Sequence, residues 1–224
     1  MEFERWEPIY TAICEAFGYD QSADRRARDH LATVCTEFET ERLDFRAETV
    51  LLVGGGPLAE TIALDDAERL AVAGSGLRHV PDETPIDLVV TDLDTDPERV
   101  VELTTEGVPV AIAAHGDNQE QLSQYVPSMD QQNVLGTTQA RPVDPLCNVG
   151  GFTDGDRAAF IVDHCGAGAI EFAGWSFEDP SVAPVKRRKL VWAERLLYWL
   201  ERDRDEQFSI LDGRRGAIEP LPEG

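Results

Sequence analysis

From residue 49 onward, short apolar runs recur, and each stops at Gly or at an acidic or polar cluster. They are Val50–Val53, Leu70–Ala73, Leu88–Val90 and Val108–Ala113, with weaker runs near Asn133–Gly136 and Ala169–Ala173. The runs are apolar at successive positions, so both faces of each strand must be covered. That is the pattern of a parallel sheet between helical layers. Helical patterns lie between several runs, at Asp96–Glu106, Asn118–Tyr125 and Asp154–His164. Strand–helix alternation predicts an α/β fold, a doubly wound, mostly parallel, Rossmann-like sheet.

Ile9, Ile13 and Phe17, then Leu31, Val34 and Phe38, recur at helical spacing, with a break from Gly18 to Asp24. The chain therefore divides into an N-terminal helical segment (1–47), an α/β catalytic domain (48–205) and a C-terminal tail (206–224). The domain ends in an amphipathic helix over 186–203. Asp212-Gly213 is a turn signal that would suit a hairpin in the tail.

The charge narrows the partners. The chain has 224 residues, with 43 acidic against 20 basic, a formal net charge of −23. Nucleic acid and anionic membranes need an extended basic surface and are excluded as partners. The acidity is scattered and only two residues are Lys, which reads as adaptation to a salt-rich cytoplasm, where self-repulsion is screened. No basic, apolar leader and no run of 18 apolar residues is present, so the expected location is cytoplasmic. Cys14, Cys35, Cys147 and Cys165 lack zinc-site spacing and read as free thiols.

In an open α/β sheet, ligands bind beyond the carboxyl ends of the strands. After the first run comes Gly54-Gly55-Gly56-Pro57, where glycine would let backbone N–H groups approach phosphate. With Ala59 it approaches a dinucleotide pattern, but no Gly-Lys-Ser/Thr follows, so it is no Walker A loop. After the third run comes Asp92-Leu93-Asp94. In extended backbone, residues two apart share a side, so two carboxylates would form a hard-oxygen site for Mg²⁺. Asp94 has an alternative role as a helix cap. After the fourth run come His115, Asp117 and Asn118, of which Asn118 alone has an obvious capping role. Thr137, Thr138 and Gln139 follow the fifth. Gly150-Gly151-Phe152-Thr153-Asp154-Gly155-Asp156-Arg157 contains a capping box, Thr153…Asp156. It also has an anion-attracting helix start and an Arg suited to phosphate. Lys186-Arg187-Arg188-Lys189 is the one dense basic cluster.

Taken in order, Gly-Gly-Gly-Pro, Thr-Asp-Leu-Asp, His-Gly-Asp-Asn, Thr-Thr-Gln, Gly-Gly-Phe-Thr-Asp-Gly-Asp-Arg-Ala and Lys-x-x-Lys-Leu resemble the archaeal 6-hydroxymethyl-7,8-dihydropterin pyrophosphokinase family across residues 48–200. The Asp-x-Asp element is also similar to that of thiamine pyrophosphokinases. The resemblance implies Mg²⁺-dependent transfer of the β,γ-diphosphate of ATP to a reduced pterin, releasing AMP, toward tetrahydrofolate or methanopterin-type cofactors. One departure is Ala73-Gly74-Ser75-Gly76, where related sequences tend to carry a carboxylate.

For that chemistry, Asp92 and Asp94 are expected to hold metal, with Asp117 or Asp154 as further ligands. Arg157, Lys186 and Lys189 would neutralise the triphosphate, and His115 would bond phosphate or position the leaving oxygen. Gly54, Gly55, Gly56, Asn118, Gly151, Thr153 and Asp154 are expected to contact ATP, and Thr137, Thr138, Gln139 and Phe152 the acceptor. The competing readings are a pyrophosphokinase for another acceptor such as thiamine, and a dinucleotide-binding oxidoreductase. The oxidoreductase requires an acidic residue near 73–76, where only small residues stand. A homo-oligomer is compatible with the sequence.

Overall fold

The computed structural model describes residues 1–58, 64 and 67–222. Ala59, the last position of the dinucleotide-like pattern, lies outside them. Six strands form one sheet in the order β5-β4-β3-β2-β1-β6, every pair parallel. They are β1 (Thr49–Val53), β2 (Arg69–Ala73), β3 (Leu88–Thr91), β4 (Val110–Ala114), β5 (Val134–Thr138) and β6 (Ala169–Ala173). The helices are α1 (Phe3–Phe17), α2 (Gln21–Val34), α3 (Pro97–Thr105), α4 (Gln119–Tyr125), α5 (Asp154–His164) and α6 (Pro184–Asp203). The expected α/β fold is the observed one.

The steps from β1 to β5 all move one strand in the same direction. Right-handed crossovers then put the intervening helices on one face. There α3, α4 and the preceding α2 cover Val89, Val110, Ile112 and Val134. The chain returns from β5 past β1 to β6, which carries α5 to the other face, across β1, β2, β3 and β6. Alternation along each strand feeds both layers. Val50 and Leu52 face the layer of α1, α5 and α6, while Leu51 and Val53 face the opposite side. β4 and β5 are buried at every position, β4 through an unbroken apolar run and β5 with the hydroxyls of Thr137 and Thr138 hydrogen-bonded inside. β6 is an edge strand and leaves Glu171 exposed, a charge that discourages further pairing.

The N-terminal helices share the core of the sheet. Trp6 is fully buried beside Phe160, Leu196 and Phe208, and its Nε1 donates to the Gln139 carbonyl at 2.8 Å. The tail differs from the expected hairpin. Its described residues form two 3₁₀ turns, Ser209–Leu211 and Arg215–Ala217, because Phe208 and Leu211 are drawn into the core. Arg215 pins the tail there through Glu201 at 2.7 Å. No helix among the described residues is long and apolar enough to cross a membrane.

All four cysteines are free. Burial pushes the Cys14 thiol up to about 11 and the Cys35 thiol up to about 12. Thiolate is the reactive form. Peptide mapping after brief iodoacetamide treatment at pH 8 is therefore expected to find both unmodified in the native protein and modified in urea.

Candidate active site

Strand order reverses at β1, and the loops beyond the carboxyl ends of β1 to β4 converge there with the start of α5. Two joined cavities occupy this edge. The larger, about 350 Å³, is lined by Tyr19, Asp24, His115, Asp117, Gln139 and Phe152, among others. The smaller is lined by Gly54–Gly56, Gly155, Trp175 and Leu190. Ser75, Thr153, Asp154 and Lys186 face both, so they mark the junction.

At that junction Asp92, Asp94 and Asp154 each present a carboxylate oxygen within 4.8 Å of the others. The Asp92–Asp94 pair converges by a different route from the expected one. β3 ends at Thr91, and Asp92 and Asp94 stand in a turn, not in extended backbone. Leu93 adopts φ +67° while its side chain is buried. Its N–H donates to Thr91 Oγ1 at 3.0 Å, and the Asp94 N–H donates to Asp92 Oδ1 at 3.1 Å. A left-handed leucine costs about 1–2 kcal/mol. Burial of its side chain offsets that strain and aims both carboxylates into the cleft. Asp94 does not cap α3; Asp96 does, accepting the Arg99 N–H.

The three carboxyls are shifted in different directions. Asp92 is pushed up by burial, but hydrogen bonds from His115 and from the Asp94 N–H outweigh this and hold it below the usual carboxylate range. Asp94 is pushed up by burial and by Asp92. Asp154 is pushed well up by burial and then by repulsion from Asp92 and Asp94. This crowding of hard oxygen donors is what a divalent cation relieves, so the trio fits Mg²⁺.

His115 serves the trio. Its Nδ1 accepts the Asp117 N–H at 3.3 Å, so Nε2 carries the proton and donates to Asp92 Oδ2 at 3.1 Å. Asn118 is a buried bracket. Its Nδ2 donates to the Asp92 and Ala113 carbonyls (2.9 and 2.7 Å), and its Oδ1 accepts the His115 N–H. Asn118 thus locks β4 to the Asp92 turn and lines neither cavity.

The expected ATP-binding and clamping residues separate into two groups. Lys186 faces both cavities, and Lys189, one turn on along α6, faces the larger one with Nζ 5.6 Å from the Phe152 ring centre. Arg157 is buried beneath the cleft, where the charges of Asp154 and Asp156 act on it, and it lines neither cavity. The Gly54 and Gly56 N–H groups donate to the Ala173 and Gly174 carbonyls (2.8 and 2.6 Å), stitching the loop to β6. A Cβ on Gly56 would lie 2.7 Å from the Gly174 oxygen. These two glycines serve backbone packing, and their donors are already used.

Gly151, at φ +95°, brings the chain against α5, and a Cβ there would stand 2.3 Å from Arg157 Cα. Gly151→Ala is expected to lose about 2–4 kcal/mol of stability through left-handed strain plus backbone overlap, measured by urea melting. Beside it, Asp156 completes half of the capping box by accepting the Thr153 and Phe152 N–H groups at 2.6 and 2.9 Å. The Thr137 hydroxyl donates to the Ile112 carbonyl at 3.0 Å, and that of Thr138 accepts the Ala140 N–H at 3.2 Å. Both are buried and lie outside the cavities, whereas Gln139 and Phe152 line the larger one.

The chain is similar along most of its length to characterised proteins. It is 36% identical to the 6-hydroxymethyl-7,8-dihydropterin pyrophosphokinase of Methanothermobacter thermautotrophicus, covering 92% of this chain and 97% of that protein. The protein of the same name from Pyrococcus furiosus is 33% identical, over 91% and 96% of the two chains. The chain belongs to the 6-hydroxymethyl-7,8-dihydropterin pyrophosphokinase family. The protein of that name from Methanocaldococcus jannaschii is 29% identical, over 90% and 96%. No family model matches the chain.

For a pyrophosphokinase of this family, the reading by strand ends misses Tyr19, Asp24, Ser75 and Trp175. Ser75 occupies the departure at 73–76 and stands at the junction without a carboxylate. Asp24 was detectable: it shares the α2 stripe of Ala27 and Leu31, all three buried, and a carboxylate in such a stripe needs a reason.

Proposed function

We propose that the protein transfers the β,γ-diphosphate of ATP to the hydroxymethyl group of 6-hydroxymethyl-7,8-dihydropterin, releasing AMP, with Mg²⁺ held by Asp92, Asp94 and Asp154. The observation that carries this reading is the position of the three carboxylates and Lys186 at the junction of two unlike cavities. Two substrates meeting at one reacting phosphate need that arrangement. The cavity with Tyr19 and Phe152 suits a flat heterocycle. The one between the glycine loop, the start of α5 and Trp175 is smaller, about 100 Å³, and takes one end of ATP.

In the reaction, the acceptor oxygen bonds to the β-phosphorus as the bond from that phosphorus to the oxygen bridging to the α-phosphorus breaks. That oxygen leaves with AMP. Such transfers have a loose transition state, so positioning and charge neutralisation dominate catalysis. Mg²⁺ would supply charge neutralisation on the phosphates. Lys186, at the junction, stabilises the charge that builds on the leaving AMP, and Lys189 adds positive charge on the acceptor side. His115 orients Asp92 and has no free nitrogen lone pair with which to act as base. The exposed Asp117 carboxylate is free to take the hydroxyl proton.

The acceptor is tested by initial rates. The reduced pterin is expected to be consumed with ATP and Mg²⁺ at high salt, and thiamine is expected to be inert. Consumption of thiamine with the pterin untouched would replace the acceptor while keeping the phosphate chemistry.

A further inference from the structure

Asp24 is buried, yet it lines the larger cavity. Its Oδ2 accepts the Tyr10 hydroxyl at 2.7 Å and Gln139 Nε2 at 2.9 Å, and its Oδ1 accepts the Gly116 N–H at 2.7 Å. Burial first, and then Asp24 itself, push Tyr10 upward, so the phenol keeps its proton and donates. Three donors use three of the four carboxylate lone pairs and leave one on Oδ1. The bond from Nε2 also fixes the Gln139 amide, because only its NH₂ side can face a carboxylate. Oε1 then accepts nothing from the described residues. Holding α2 to α1 and to the loops after β4 and β5 needs the three bonds. It does not need two spare acceptors beside a cavity.

We infer that Asp24 and Gln139 form an acceptor edge that recognises the adjacent amino and ring N–H donors of a 2-amino-4-oxo heterocycle. This rests on the proposed pterin reaction and extends it to the residues that select the acceptor. Tyr19 and Phe152, ring centres 6.5 Å apart, supply aromatic walls for the flat ring. The orientation also fits. Gly116, bonded to Asp24, is followed by Asp117 and preceded by His115, which is bonded to Asp92. A ring held at Asp24 along this segment turns its opposite edge, which in a 6-hydroxymethylpterin carries the reacting hydroxyl, toward the carboxylate trio. The N-terminal helices would thereby choose the substrate, while the sheet carries the chemistry.

The test is a double cycle, read by pterin fluorescence and thermal melting. The full-length protein and its Asp24→Asn variant are titrated with 6-hydroxymethyl-7,8-dihydropterin and with its 2-desamino analogue. Removing the amino group from the ligand is expected to weaken binding to the unaltered protein on the order of 100-fold, the scale of a buried bond to a charged group. Asp24→Asn is expected to weaken the parent ligand similarly, the two losses are expected not to add, and affinity for a non-hydrolysable ATP analogue should stay within about threefold. If the variant does not fold, the two ligands on the unaltered protein decide the matter. Equal binding of both ligands, with turnover of the parent intact, overturns the inference and leaves the proposed reaction standing. Failure of the unaltered protein to bind or consume the reduced pterin overturns both.

Discussion

The Asp154→Asn protein is expected to form AMP about 10³-fold more slowly than the unaltered protein, yet to melt at a higher temperature when metal is absent. The loss follows from removing one of the three carboxylates that would hold Mg²⁺ at the junction, on the scale seen when a preorganised electrostatic group is deleted. The gain follows from linkage. Burial, and then Asp92 and Asp94, raise the folded-state pKa of Asp154 well above its unfolded value. A carboxyl shifted that way stabilises the fold below its unfolded pKa, and that stability is lost as pH rises through the folded pKa. At neutral pH the metal-free fold is therefore penalised, and a neutral Asn removes the penalty. The start of α5 favours a carboxylate by about 0.3–1 kcal/mol, which the net upward shift already outweighs. For a chain of this size, each kcal/mol relieved raises Tm by about 2–4 °C. Adding Mg²⁺ should reverse the order, because the unaltered protein gains binding energy that the variant lacks. Calorimetry with and without Mg²⁺, beside an AMP assay, checks both halves.

Lys186→Ala is expected to lower kcat by about 10²–10³-fold, or about 3–4 kcal/mol of transition-state stabilisation, with little change in KM for the pterin. Lys186 faces both cavities and acts on Asp94 and Asp154, so its charge sits where the transferred and leaving phosphates must separate. Arg187, next in sequence, lines neither cavity. Arg187→Ala is expected to keep its rate within about threefold, which separates a placed charge from the general positive charge of the 186–189 cluster.

Much of this architecture was legible because it is local. Apolar runs, unbroken for β1 to β4 and weaker for β5 and β6, gave the strands, and the Thr153…Asp156 spacing gave the start of α5, which begins at Asp154 as its sequence pattern predicts. The grouping of Asp92 and Asp94 was legible too, although its cause was not. Strand alternation predicted it, while a buried left-handed Leu93 produces it. What the sequence left open depends on strand order, and Asp154 stood there only beside Asp117 as a further ligand. Only the return of the chain past β1 brings α5, and with it Asp154, over the β3 turn. Only packing of α1 and α2 on the core carries Asp24 beside Gln139, 115 positions away. The glycine loop shows the converse. Its residue types suit phosphate, but two of its N–H groups are bonded to Ala173 and Gly174 at the end of β6.

The central claim is that two substrates exchange a diphosphate across the Asp92–Asp94–Asp154 junction. It is tested most directly by the products formed from ATP and 6-hydroxymethyl-7,8-dihydropterin with Mg²⁺ at high salt, resolved by ³¹P NMR and mass spectrometry. The account predicts AMP and a pterin carrying two phosphates in equal amounts, with no ADP, and no products once the metal is chelated. ADP with a singly phosphorylated pterin, or no AMP at all, would contradict it.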